Sequence, residues 1–137
     1  MAKEFLIDIL TPRRKVADLR AEEAIIPAYD GERGFLADHA HFIGVLGTGV
    51  LKVRRGSEEE RCLLKAGVFE FSENRLVLLA DLLERAGEVD ASAASERVAE
   101  IDKIFANHAE YDPEQGESLR EERQLNAARL LVAAGGK

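Results

Sequence analysis

Residues 42–54 read Phe-Ile-Gly-Val-Leu-Gly-Thr-Gly-Val-Leu-Lys-Val-Arg, and this stretch decides the fold class. Two mostly apolar runs, Phe42–Leu46 and Val50–Arg54, flank the triplet Gly47-Thr48-Gly49. β-branched and aromatic residues favour an extended chain, whereas glycine favours tight turns. The stretch therefore predicts two strands joined by a turn.

Similar runs lie on both sides of this pair. Near the start, residues 5–10 alternate Phe, Ile and Ile with Leu, Asp and Leu, which is the period of a strand. Many short strands separated by turns are typical of a sandwich or barrel. The other predicted strands are residues 24–26, 61–65, 68–71 and 76–80, with turns at Pro27, at 30–34, 55–57 and 72–74, and a solvated hairpin tip at 58–60.

The second half of the chain has a helical pattern. Asp90 is a predicted N-cap, and a first apolar stripe follows it. Asp112-Pro113, with Gln115 three residues after Asp112, predicts the start of a second helix with a capping box. The stripes consist of Ala94, Val98, Ile101, Ile104 and Phe105 in the first helix and of Leu125, Ala128, Leu131 and Val132 in the second, which Gly135-Gly136 ends. We therefore predict a β-sandwich over residues 1–86 followed by an α-helical hairpin over residues 87–137.

Composition restricts the function. The 137 residues are 46% hydrophobic and carry a net charge of -7, of which -2 falls in residues 1–86 and -5 in residues 87–137. An acidic protein is poorly suited to neutralising phosphates or adhering to anionic lipid. We expect no nucleic-acid partner and no insertion into lipid. A single cysteine, Cys62, is predicted to be a buried apolar residue rather than a reactive thiol.

No catalytic group of residues is apparent. His39 and His41 are two residues apart, which would suit part of a metal site, but only Asp38 lies close enough to add a ligand. Gly31–Gly34 lacks the Lys-Ser/Thr ending of a phosphate-binding loop. The sequence therefore predicts no enzyme, no cofactor and no metal, although a small metal hydrolase built on the two histidines stays an alternative.

Taken in order, several segments resemble a known protein family, although no single motif among them would identify it. The segments are Ile26-Pro27, Asp30–Leu36, Asp38-His39-Ala40, Gly49–Val53, Ala66–Phe71, Val77–Asp81 and Val89-Asp90 followed by an Ala-rich helix. In this order they resemble the epsilon subunit of F-type ATP synthases, called delta in mitochondria. The resemblance covers nearly the whole chain.

The resemblance implies a non-catalytic subunit of the central stalk. The sandwich would bind the gamma subunit and the ring of c subunits, and so help to couple rotation to ATP synthesis. The hairpin would fold against the sandwich or extend towards the alpha/beta catalytic head, where it restrains ATP hydrolysis. The subunit would be peripheral, on the cytoplasmic face of the inner (cell) membrane.

Two sets of contact residues follow from the resemblance. Gly31, Glu32 and His39 match the loop that faces the c ring. Basic side chains of the hairpin are candidates for acidic surface on the catalytic head: Arg97, Lys103, Arg120, Arg123 and Arg129.

The chain departs from the family pattern in two places. Ala37-Asp38 and His41 stand where the family has Pro-Gly and Pro around its His-Ala pair. Asp90 matches the family's ATP-binding motif, but Ala93 replaces its arginine, so we predict weak or absent ATP binding. Arg97, Arg123 or Arg129 could compensate for that loss. A free-standing β-sandwich adaptor and an ATP-sensing module stay open as alternative functions.

Overall fold

The computed structural model describes residues 3–107 and 112–134. Within these residues the chain forms a strand-rich part followed by two helices. The strands are β1 (Phe5–Leu10), β2 (Lys15–Ala21), β3 (Glu23–Ala28), β4 (Gly31–Leu36), β5 (Phe42–Leu46), β6 (Gly49–Arg55), β7 (Glu58–Ser72) and β8 (Arg75–Arg85). A short 3-10 helix, Ala86–Glu88, leads into α1 (Ala91–Ala106) and α2 (Pro113–Ala134).

The strands pair in the order β2-β1-β8-β7-β5-β3-β4, and β6 joins β3 to β7. The pairing of β1 with β8 is parallel, with Leu6 opposite Arg75, and the other pairings are antiparallel. The long strand β7 pairs with β6 through its first half and with β5 through its second half. The two halves of β7 therefore belong to the two layers of a sandwich, which confirms the predicted fold class.

β7 changes layer at Gly67. Before it, Cys62 and Leu64 face the core, and after it Phe69 and Phe71 do, so the inward positions shift from even to odd numbers. Gly67 has φ +123°, and a Cβ atom at this position would lie 1.9 Å from the carbonyl oxygen of Leu79. Only glycine fits such a close approach of two backbones.

The core between the layers is aliphatic around a cluster of phenylalanines. Phe35 stacks on Phe71 with ring centroids 5.4 Å apart, and Phe5 and Phe69 meet these rings edge-on. Offset and edge-on packing of this kind matches the charge distribution of aromatic rings. Cys62 is buried in the same core, as predicted.

Several strands predicted from the sequence agree with the structure, and others differ from it. Residues 61–65 and 68–71 form one strand, β7, and the acidic run 58–60 begins that strand instead of forming a hairpin tip. Pro27 lies within β3, so the turn predicted there was wrong. A turn does occur at Tyr29 and Asp30, before Gly31, but residues 32–34, also predicted as turn, belong to β4. β2 was not predicted. β4 is paired on one side only, and two glycines can be accommodated in an edge strand.

Both predicted helix starts are confirmed. The Asp90 carboxylate accepts a hydrogen bond from Ala93 N at 3.0 Å. Asp112 and Gln115 form the capping box, with Asp112 Oδ1 accepting from Gln115 N at 2.8 Å and Gln115 Oε1 from Asp112 N at 3.2 Å. Leu131, predicted to lie on the apolar stripe of α2, is 57% exposed. The predicted helix end at Gly135-Gly136 lies outside the described residues.

Candidate functional site

The outer face of one layer is covered by α2. Leu63 of β7 is fully buried against Ala128 and Val132 of α2, and further apolar side chains close around them. This second apolar cluster also includes Val50, Leu82, Ala86, Val89 and Leu125. The hairpin is therefore docked on the sandwich through a small apolar interface that is separate from the main core.

Polar contacts fix the position of α2 on this face. The Arg129 guanidinium donates two hydrogen bonds to the Glu84 carboxylate on β8, at 2.8 and 2.9 Å. Arg129 also donates to the side-chain oxygen of the buried Asn126 at 3.1 Å. Gln124 Nε2 donates to the carbonyl oxygen of Thr48 at 3.1 Å. The Arg129–Glu84 pair, bidentate and mostly screened from solvent, is the strongest polar link between hairpin and sandwich.

α1 contacts α2 through two ion pairs. Arg97 binds the Glu122 carboxylate with two nitrogens, one of them at 2.8 Å, and Arg123 binds Asp102 at 2.7 Å. The hydrogen bond from Arg97 lowers the pKa of Glu122, and the one from Arg123 lowers the pKa of Asp102. Both pairs hold the hairpin closed on itself.

The five basic residues predicted to contact the catalytic head are largely engaged within the chain. Arg97, Arg123 and Arg129 form the ion pairs described above, and Arg120 binds Glu117 on its own helix at 3.3 Å. Lys103 is exposed and forms no ion pair within residues 3–107 and 112–134. In the docked state, three of the five basic side chains would have to leave an internal partner on another element before they could bind another surface.

Asp90 and Ala93 line a small pocket of about 380 Å³ between the hairpin and the end of β8. Its charged lining consists of the carboxylates of Glu84, Glu88, Asp90 and Glu122 and the guanidinium groups of Arg97 and Arg129. Both guanidinium groups are already bound to carboxylates. The pocket therefore carries an excess of negative charge, which opposes the phosphates of a nucleotide.

The three residues predicted to face the c ring do not lie together. Gly31 and Glu32 begin β4, whereas His39 follows the other end of this strand. β4 separates them by roughly 17 Å. The His39 ring packs edge-on against Phe35, with centroids 4.6 Å apart, and its Nδ1 lies 2.7 Å from the Ala40 carbonyl oxygen. The loop after β4 is thus anchored on the core, and Gly31, Glu32 and His39 do not form the single loop that the resemblance implied.

His39 and His41 also do not converge on a common site. His41 Nε2 lies 2.8 Å from a carboxylate oxygen of Glu70 on β7, while His39 packs on the aromatic cluster. In the part of the chain that the structure describes, no three His, Cys, Asp or Glu side chains are grouped as metal ligands.

The outer face of the other layer carries a row of exposed apolar side chains. Val68 on β7 lies directly opposite Val45 on β5 and Leu79 on β8. The exposed fractions are 54% for Val45, 45% for Val68 and 47% for Leu79. Ile43, two residues before Val45 on the same face of β5, is 66% exposed. We call these four residues the apolar row. The outer face of an antiparallel sheet is usually polar, and adjoining exposed apolar residues indicate a contact surface.

This row was not predicted from the sequence, although a signal for it was present. Phe42–Leu46 contains no polar side chain, so both faces of β5 had to be apolar. In an antiparallel sandwich one of these faces points away from the core. The cross-strand register that lines up Val45 with Val68 and Leu79 could not be read from the sequence.

Comparison with known proteins agrees with the sandwich fold. The family model described as ATP synthase, Delta/Epsilon chain, beta-sandwich domain matches residues 4–86. The chain belongs to this family. Some relatives match this chain over nearly its whole length, so the similarity extends into the hairpin. The ATP synthase epsilon chain of Desulforamulus reducens is 32% identical over 120 residues, which are 85% of this chain and 89% of that one.

Other members of the delta/epsilon family give similar values. The epsilon chain of Synechococcus sp. (strain PCC 6716) is 30% identical over 95% of this chain and 94% of its own length. A chain of the mitochondrial ATP synthase of Euglena gracilis, in a structure containing OSCP, F1 and the c-ring, shares the fold with a TM-score of 0.74 and 16% identity. The match covers 96% of this chain and 81% of that one. No helix in the described ranges is long and apolar enough to cross a membrane.

Proposed function

We propose that this chain is the epsilon-type subunit of the central stalk of an F-type ATP synthase, without an active site of its own. It would bind the gamma subunit and the c ring through the sandwich and regulate ATP hydrolysis through the hairpin. Its place would be peripheral, on the cytoplasmic face of the membrane that holds the complex. Family membership over residues 4–86 and the epsilon-chain relatives support this role.

The apolar row is the observation that carries the proposal. The chain covers the outer face of one layer with α2 but leaves the row on the other layer exposed. A stalk subunit needs a permanent contact with the rotor, and permanent interfaces are more apolar than ordinary surface. We therefore assign the row to the contact with gamma. Carboxylates at its margin, Asp8 and Glu70, would form part of a polar rim.

The docked hairpin supports a regulatory role. Its interface with the sandwich is small, and Arg129–Glu84 is its main ionic link. Such an interface can open without unfolding the sandwich. Opening frees Arg129 for the catalytic head, whereas Arg97 and Arg123 would be freed only if α1 and α2 also separated. The hairpin is thus suited to two states.

The contact with the c ring is proposed for the two ends of β4, because Glu32 and His39 lie at opposite ends. Cysteines placed singly at these positions and paired with one in the polar loop of the ring should report each contact separately. Disulfide formation at one end only would assign the ring to that end, and its absence from both in an active complex would contradict the contact.

Capture of gamma tests the main assignment. We expect Val68→Lys and Leu79→Lys to weaken co-purification of gamma with this chain, because a charge in the row would be buried in the interface. Leu131→Lys is the matched control, since Leu131 is similarly exposed but lies on α2. Equal capture by all three variants would contradict the assignment of the row, and the absence of capture by the unmodified chain would contradict the proposed function.

A further inference from the structure

Reciprocal hydrogen bonds tie the loop between β4 and β5 to the turn between β7 and β8. The backbone N–H of Asp38 donates to the side-chain oxygen of Asn74 at 2.6 Å, and the Asn74 side-chain amide donates back to the Asp38 carboxylate at 2.9 Å. Lys3 Nζ binds the same carboxylate at 2.8 and 2.9 Å. We call the paired Asp38 and Asn74 the loop clamp.

Both members of the loop clamp have an uncommon backbone conformation. The φ angle is +66° at Asp38 and +59° at Asn74, in the left-handed region. Aspartate and asparagine tolerate this region better than most residues with a side chain. The carbonyl oxygen of Asn74 also accepts a hydrogen bond from Leu6 N of β1 at 3.0 Å. The loop clamp therefore anchors an exposed loop on the paired strands of the sandwich.

His39 directly follows Asp38, and its contacts define its protonated nitrogen. The half-buried ring packs edge-on against Phe35 and Phe71. Its Nδ1 lies 2.7 Å from the carbonyl oxygen of Ala40, and because a carbonyl oxygen can only accept, Nδ1 carries the proton of the neutral ring. Nε2 is then an acceptor, and it has no hydrogen-bond partner within residues 3–107 and 112–134. The ring thus offers one unused acceptor to a partner.

We propose that the loop clamp positions His39 for its contact with the c ring, where Nε2 accepts a hydrogen bond from a donor in the polar loop of the ring. This inference rests on the proposed function and assigns a ring contact to the His39 end of β4. Asp38 and Asn74 are positioning residues, because they set the path of the loop that carries the imidazole. A loop held in one conformation before binding loses less conformational entropy when the contact forms.

Exchange of the two clamp residues tests this inference. Asn74→Asp removes the amide donor and places two carboxylates side by side, so it should open the loop clamp. Asp38→Asn combined with Asn74→Asp should restore both hydrogen bonds, because the amide then lies on the loop and the carboxylate on the turn, and both residue types tolerate positive φ. Ser57→Asp is the matched control, since it adds the same charge in the turn before β7, at the opposite end of this strand.

NMR of the ring nitrogens in the isolated full chain measures the tautomer of His39 at about pH 8.5, where imidazole is neutral. We expect the Nδ1-protonated form in the unmodified chain and in Ser57→Asp. Its ratio to the other tautomer should fall about fivefold in Asn74→Asp and recover in the double variant. His41, whose Nε2 contacts Glu70, is the internal control for an intact sandwich. A tautomer that Asn74→Asp leaves unchanged, or that the double variant does not restore, overturns the inference.

Disulfide formation in the assembled complex tests the contact itself. A cysteine at Ala40, an exposed position next to His39, should form a disulfide with a cysteine in the polar loop of the c ring. Asn74→Asp should slow this reaction by about fivefold, and the double variant should restore the rate. No disulfide in an active complex with the intact clamp would contradict the ring contact of the proposed function, and this inference with it. A disulfide whose rate Asn74→Asp leaves unchanged would overturn the role of the clamp and leave the ring contact standing.

Discussion

Gly67 shows how one residue determines the path of a strand. Its φ is +123°, and a Cβ atom added there would lie 1.9 Å from the Leu79 carbonyl oxygen, which leaves no room for a side chain. Gly67→Ala should therefore lower the free energy of unfolding by about 3 kcal/mol, through strain and backbone displacement. Denaturant unfolding measures the loss. Gly87→Ala is the control, because a Cβ atom there meets nothing within 4 Å, and equal stability of the two variants would contradict the argument.

Ala93, which stands where the family's ATP-binding motif has arginine, is the reason we expect no ATP binding near Asp90. The pocket around Asp90 has four carboxylates, and its two arginines are held by Glu84 and Glu122. We expect no ATP binding at this pocket in a calorimetric titration with Mg-ATP, because a nucleotide would have to displace these pairs. Micromolar affinity that Asp90→Ala abolishes would contradict the prediction. Ala93→Arg should strengthen ATP binding only if the rest of a pocket exists.

Residues with local partners were the easiest to predict. The caps at Asp90 and Asp112 use carboxylates that accept from backbone N–H groups three residues on, those of Ala93 and Gln115, and the burial of Cys62 follows from its apolar neighbours. The positions of His39 and Glu32 could not be predicted, because they depend on how β4 pairs with β3. A strand with glycine at its first and fourth positions is stabilised by its neighbour and not by its own propensity.

At the scale of elements, α2 is held on the sandwich by Arg129 and Glu84, whose side chains are 25% and 21% exposed. Arg129→Met should increase the undocked fraction of the hairpin by about tenfold, the loss associated with a partly buried charge-assisted pair. Distances between spin labels at Lys65 and Glu121 measure docking. Arg120→Met is the control, because its partner Glu117 lies on the same helix. An unchanged distance distribution in Arg129→Met would show that the apolar contact alone holds the helix.

The packing of α1 on α2 should depend on pH. The pKa values of Glu122 and Asp102 are lowered from 4.5 and 3.8 by hydrogen bonds from Arg97 and Arg123. A carboxyl group whose pKa is lowered by folding stabilises the fold above its unfolded pKa, and this contribution is lost as the pH falls through the folded value. Amide exchange in α1 should therefore accelerate below about pH 4 relative to the core of the sandwich. Equal acceleration of amide exchange in α1 and in the sandwich core would contradict an effect confined to the packing of α1 on α2.

For the whole molecule, we predict that a chain ending before Asp90 folds as a sandwich and still binds gamma. The main core lies entirely between β1 and β8, and the contacts of α2 belong to a separate cluster. The same truncation should raise ATP hydrolysis by the complex, since the hairpin is the proposed brake. A cooperative unfolding transition, gamma capture and hydrolysis rate are the measurements. Failure to fold would contradict the boundary, and unchanged hydrolysis would contradict the brake.

The fold class could be predicted from the sequence, because strand and helix patterns occupy separate halves. Which outer face of the sandwich is covered by α2 and which is exposed could not be predicted. Which outer face α2 covers depends on Leu63 pointing outward from β7 just before the strand changes layer at Gly67. The apolar row likewise requires the register between Val45, Val68 and Leu79. These are relations between distant segments, which a periodic pattern within one segment does not contain.

The parallel pairing of β1 with β8 has a consequence for synthesis of the chain. β1 leaves the ribosome well before its partner residues, Arg75–Leu79, which are made about seventy residues later. Until then β1 can pair only with β2, which follows it directly and lies on its other side. The nascent chain therefore carries a hairpin in which the inner edge of the mostly apolar strand β1 stays unpaired until most of the sandwich has emerged. Contacts of such long sequence separation form late, and folding of the sandwich should be complete only after β8 is available.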